Sequence, residues 1–326
     1  MRYGKSHFDA IDAQLLLLDE WYSSKGVDQA RSFLESQAQN RGPVVYTPSD
    51  EEREAGVLPE WVMTKAIYYG LNKASTYWVN KEFVTIASDA AKTMPEAPIT
   101  PVDIPTQGGF ALLEDPIYMR DMNDRLCNVK AVMWMPNYFK FKVKQGGMAS
   151  AQGMAITLFS DPSDPADEGW GKMSADRRKT LFGRRLILLA HMGLFWKDPK
   201  LTGAQIMVYV NNKGDHSHID GDFFGGNFPA YPRDPDLQIV VPGQEKNTAI
   251  DFLLALWRLS TQKVFVVSKR PLDRPIRREI HRSRHAPEWG EVRTIDLRRH
   301  VYGGDRGRLT EEEAEQHWGP RSLVSG

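Results

Sequence analysis

Residues 95–107 read PEAPITPVDIPTQ, and four prolines in so short a span constrain this chain more than any other feature. Proline fixes φ and has no backbone N–H, so neither a helix nor an interior strand can run through such a segment. An extended connector is expected there, and the character of the chain changes across it. Upstream, DAIDAQLLLLDEWY, VDQARSFLESQAQ, LPEWVMTKAIYYGLNKAS and YWVNKEFVTIASDAAKTM carry apolar residues at helical spacing among good helix formers. All four are predicted to be helical, with a buried stripe on each. Downstream, GGFALLEDPI, CNVKAVMWMP, YFKFKV, GMAITLFSD, RRLILLAHMGLFW, AQIMVYV and LQIVV are short, β-branched or aromatic, and broken by Gly, Pro and Asp. These read as strands. Phe139, Phe141 and Val143 alternate with Lys140, Lys142 and Lys144, the pattern of one buried and one solvated face.

The expected organisation is a helical region over 1–94, the connector over 95–107 and a β-rich part over 108–326. The fold class is α+β, a helical N-terminal part packed with a mostly antiparallel β-rich domain. NTAIDFLLALWRLSTQKV (247–264) is the clearest helix of the second half, with Ile250, Leu253, Leu254 and Trp257 as its stripe. SDPSDPADEGWGKMSADRRKT (160–180) reads as a surface loop, in which Asp161 and Asp164 are not positioned by a rigid element.

Composition narrows the classes further. At 41% hydrophobic and 26% charged, 326 residues can bury a sizeable core. Cys127 is the only cysteine, which excludes a disulfide framework within one chain and any cysteine-based zinc module. It is expected in the core. The apolar runs at 15–18 and 186–196 fall short of the roughly 20 residues that span a bilayer. A cytoplasmic protein without a membrane partner is expected. Gly108 and Gly109 are too short a run for a phosphate loop.

The formal net charge is zero, yet it is unevenly spread. Between Arg258 and Arg308 there are 14 Lys and Arg against 6 Asp and Glu. LDRPIRREIHRSRH is predicted to form a helix that puts Arg274, Arg277, Arg278, His281, Arg282 and His285 on one broad face. EVRTIDLRRH (291–300) follows as a strand ending in Arg298 and Arg299. Such a surface neutralises phosphates with a salt-dependent affinity, for DNA or RNA. The plainer reading is a solvated face, or one paired with the chain's own acidic surface.

A second candidate is GDHSHIDGD (214–222). His216, His218 and Asp220 match the first part of an H-x-H-x-D-H metal signature. Imidazoles and a carboxylate bind Zn2+ or another divalent ion, which lowers the pKa of bound water. The last position is Gly221 rather than His, and no histidine elsewhere has the matching spacing. A surface turn, in which Asp, Ser and Gly satisfy local backbone groups, is the simpler reading.

In order, PVDIPTQGGFALLEDPI, VKAVMWMP, LLALWRL, RPIRREIHRSRH and VRTIDLRR resemble an uncharacterised family of actinobacteria, their phages and mobile elements. The resemblance covers roughly residues 80–318 and implies context rather than mechanism. That family continues after its Arg-rich strand into a HWVRGHW-type motif, whereas this chain ends HWGPRSLVSG. A permitted coding of the tail from His317, read with one base skipped after Trp318, gives the family's motif. The tail is therefore expected to be a frame-shifted, truncated product.

The function expected from these features is a non-enzymatic, nucleic-acid-associated accessory protein of an actinobacterial phage or element, acting in the host cytoplasm. Its phosphate contacts would be Arg274, Arg277, Arg278, Arg282, Arg298 and Arg299. The alternatives are a metal-dependent hydrolase centred on His216, His218 and Asp220, and a protein–protein module acting on a host factor.

Overall fold

Ser75–Val79, inside the stretch expected to be helical throughout, is a strand. It is interior to the sheet, flanked on both sides by parallel partners. Thr76, Tyr77 and Val79 are buried because both faces of the sheet are covered, so the segment shows no alternating strand period.

The computed structural model describes residues 8–41, 59–93, 103–120, 124–142, 148–170, 173–183, 185–197, 217–219, 238–240, 248–262, 265–283 and 291–297. The elements, in chain order, are α1 (Phe8–Tyr22), α2 (Ser24–Arg41), α3 (Pro59–Lys73), β1 (Ser75–Val79), α4 (Lys81–Thr93), β2 (Gly109–Arg120), β3 (Leu126–Lys142) and β4 (Met148–Ser160). They continue with α5 (Ala175–Phe182), β5 (Ile187–Lys197), β6 (Ser217–Ile219), β7 (Gln238–Val240), α6 (Thr248–Thr261), β8 (Phe265–Pro271), α7 (Arg274–Arg282) and β9 (Glu291–Leu297). The fold is α+β. One sheet runs in the order β7-β5-β4-β3-β2-β1-β9-β8. β1 pairs parallel with β2 and β9, and the other ladders are antiparallel. β3 is 17 residues long and overruns β2, so its far half pairs with β6 through Phe139–Phe141. AQIMVYV lies outside the described residues.

Helices cover both faces. On one face Phe83 and Val84 of α4 and Ile250, Leu253 and Trp257 of α6 bury Tyr77, Trp134, Ile156 and Ile295. On the other, α1, α2 and α3 supply Leu17, Trp21, Ala30 and Ile67 against Phe110, Met133 and Phe159. Residues on either side of the proline-rich segment thus share one sheet and one core. The end of that segment is itself anchored. Trp134 Nε1 donates to Thr106 O at 3.1 Å, and Tyr77 Oη donates to Thr106 Oγ1 at 3.1 Å.

Local chemistry sets the joints. Asn80 caps α4, its Oδ1 accepting from Phe83 N at 2.8 Å. Buried Gln14 of α1 ties the end of α3 to β1. Its Nε2 donates to Leu71 O at 2.7 Å and its Oε1 accepts from Thr76 Oγ1 at 2.6 Å. Gly109 is a steric requirement, because a Cβ there would overlap the Trp134 indole. Cys127 is buried, as expected.

The 160–180 segment is more ordered than a surface loop. It contains α5, and the turns before it close on buried Asp167. Asp167 Oδ2 accepts from Asn128 Nδ2 at 2.6 Å and Ser160 Oγ at 3.0 Å, and Oδ1 accepts from Gly169 N at 2.8 Å. Asp164 is held by a residue of β2, whereas the Asp161 carboxylate is fixed locally within the loop. Asp161 Oδ1 accepts from Ser163 N at 2.8 Å, and Tyr118 Oη donates to Asp164 Oδ2 at 2.8 Å. A carboxylate that accepts several short, charge-assisted hydrogen bonds fixes the loop around it.

Candidate nucleic-acid interface

α7 is a nine-residue helix with two chemically opposite sides. Ile280 is buried and Ile276 partly so, and both pack on Ile11 and Leu15 of α1, on Leu272 and on Val292 of β9. Arg274, Arg277, Arg278, His281 and Arg282 are exposed. At roughly 100° per residue, these five spread over an arc of about 140° centred opposite the isoleucines. The apolar pair is what makes α7 form where it does, and the arginines follow from the register it imposes. Asp273 O accepts the first helical bond from Arg277 N at 2.9 Å. His281 and Arg282 in the last turn complement the helix dipole.

The edge strand β8 extends this surface. Directly paired residues of an antiparallel ladder project to the same side. Arg270 pairs with Val292, whose side chain packs under α7, so Arg270 is on the α7 side of the sheet, and it is exposed. Lys269 and Arg293 project to the other side, with Glu291. There Lys269 Nζ lies 2.9 Å and Arg293 Nε 3.7 Å from the Glu291 carboxylate. The cations of this corner are therefore sorted by face. Those on the α4 and α6 side share the Glu291 carboxylate. Among the described residues no acid pairs with Arg270, Arg274, Arg277, Arg278 or Arg282.

Comparisons with protein-family models, curated proteins and solved structures return no match.

Of the six arginines expected to contact phosphate, α7 brings four together, Arg274, Arg277, Arg278 and Arg282. Arg298, Arg299 and His285 lie outside the described residues. Sequence reasoning missed Arg270. Its signal was the alternation in FVVSKRP, which shows only once the face of each partner strand is known.

The second candidate is reached only in part. His218 lies in β6, opposite Lys140 of β3, so the centre of HSHID is a strand rather than a turn. The simpler surface turn fails there because β3 extends past β2 and takes a further partner. His216 and Asp220 lie outside the described residues. Among the described residues no three His, Cys, Asp or Glu side chains are grouped to hold a metal ion.

Two other polar groups stand out within the fold. Lys130 of β3 is buried and donates to Glu114 O at 2.6 Å, and burial holds its ammonium below the usual lysine range despite nearby Asp161, Asp115 and Asp164. His191 of β5 is pushed down to about 4 by burial, its Nδ1 2.9 Å from Thr157 Oγ1. Both contact neighbours within the fold. No helix among the described residues is long and apolar enough to cross a membrane.

Proposed function

We propose that this chain is a non-enzymatic, nucleic-acid-associated accessory protein of an actinobacterial phage or mobile element, and that α7 with Arg270 is its phosphate-binding surface. One observation carries the reading. Five exposed guanidinium groups share one face with no carboxylate partner among the described residues, while the cations on the opposite face are paired. A chain of zero net charge has enough acid to neutralise its own base, so clustered unpaired arginines favour an external polyanion over self-pairing.

The physics of the complex follows from counter-ion release. Each phosphate neutralised contributes about −0.9 to the slope of log affinity against log salt on duplex DNA. Four or five contacts therefore imply a loss of a few hundredfold in affinity between about 50 and 200 mM salt. Fluorescence anisotropy with labelled nucleic acid over that range tests the reading. The expected result is a steep negative slope that Arg278→Ala together with Arg282→Ala makes shallower by about two. No binding at low salt, or a slope untouched by that double substitution, overturns it.

A further inference from the structure

We infer that the ligand of this surface is B-form duplex DNA, held by phosphates on both walls of its major groove, an inference that rests on the nucleic-acid reading above. The first support is the distribution of charge around α7. Arg277 lies at one limit of the basic arc and Arg278 and Arg282 at the other, with Arg274 and His281 between them. Cations that diverge to two sides need phosphates on two sides. A groove presents two such rows, and a single strand presents one.

The second support is size. An α-helix with its side chains is about 10–12 Å across, and the B-DNA major groove is about 12 Å wide. The major groove of A-form RNA is deep and too narrow for side chains to read. α7 is about 13 Å long; its isoleucine side is covered by the body, and among the described residues its arginines on the opposite half are exposed.

The third support is chemical. Binders of single strands stack bases on aromatic rings. Among the described residues the exposed large apolar side chains are Tyr22, Trp61, Tyr118 and Leu181, and none belongs to α7 or β8. The exposed polar side chains described on α7 are four guanidiniums and an imidazole, which suit phosphate oxygens.

The test is a competition among three labelled probes of one sequence, each two helical turns long: duplex DNA, duplex RNA and single-stranded DNA. The full-length chain is used at low salt. Duplex DNA is expected to bind about tenfold tighter than either competitor. Arg277→Ala alone and the pair Arg278→Ala, Arg282→Ala should each weaken duplex DNA binding, since they serve opposite walls. Arg293→Met, on the other face of the sheet, should leave it unchanged. Equal or tighter binding of duplex RNA or single-stranded DNA, still dependent on these arginines, overturns this inference and leaves the nucleic-acid reading standing. Binding of no probe overturns both. Loss confined to one wall of the arc overturns the two-walled contact.

Discussion

Arg293 and Tyr77 meet 216 residues apart in sequence, the guanidinium donating from Nη1 to Tyr77 Oη at 3.2 Å while its Cζ lies 5.6 Å from the centre of the same ring. The two residues are register partners on β9 and β1. Tyr77 is buried, and its Oη also donates to Thr106. Removal of the hydroxyl in Tyr77→Phe should cost about 1–2 kcal/mol, measured by denaturant unfolding. Arg293→Met should cost a similar amount and leave nucleic-acid affinity unchanged, because Arg293 lies on the face away from α7. A loss of binding in Arg293→Met without a loss of stability would contradict that division of labour.

Ile280 is the anchor of the basic helix. Ile280→Ala removes buried methyl groups between α7, α1 and β9. A stability loss of about 2–4 kcal/mol is expected. Phosphate binding should also weaken although no charge has been removed, since loosely held arginines lose more freedom when they bind. Unchanged affinity in a destabilised Ile280→Ala protein would mean that α7 need not be docked to work.

His191 makes stability depend on pH. Burial lowers its imidazole from the ordinary 6.5 to about 4, so the folded chain favours the neutral ring. The unfolded chain takes up the proton first as pH falls. The stabilising effect is complete above the unfolded value and is lost between about pH 6.5 and 4. By about pH 5 the loss is about 2 kcal/mol. Denaturant unfolding at near-neutral pH and at that lower pH should show a drop in the parent protein that His191→Gln reduces by this amount. Equal drops in the two proteins would show that other groups carry the acid sensitivity.

Asp167 is the knot of the segment between β4 and α5. Asp167→Ala strands the backbone N–H of Asn128, the hydroxyl of Ser160 and the N–H of Gly169, and takes one acceptor from the Asn128 amide. A loss of about 3–5 kcal/mol is expected, and Asp167→Asn should recover part of it. Thermal unfolding of the two variants checks both the size and the order.

Most helices and the long antiparallel strands were legible because their burial is one-sided or their periodicity sustained. α6 was plain from Ile250, Leu253 and Trp257, and α7 from arginines and histidines three and four apart, while the isoleucine pair that docks it came only with the structure. β1 was not, since its five residues sit at the centre of a sheet covered on both faces and lose the alternation that marks a strand. Asp167 was hidden for a different reason. Its partner Asn128 lies 39 residues earlier on β3, and composition alone makes any Asp-rich, Pro-rich run look solvated. Within the candidate site the helical arginines followed from spacing. The membership of Arg270 and the exclusion of Arg293 required the register of β8 with β9.

The position of β1 also bears on how the chain is made. Its parallel neighbour β9 ends more than two hundred residues later, at Leu297. At about 5–20 residues per second, a ribosome takes roughly 10–40 s to deliver that partner. During that interval β1 presents an open, largely apolar edge to the crowded cell, where an unpaired strand invites intermolecular pairing. Nascent chains of this protein are thus most vulnerable to aggregation before β9 emerges, and a message cut short upstream of Glu291 would yield a product with that edge left bare.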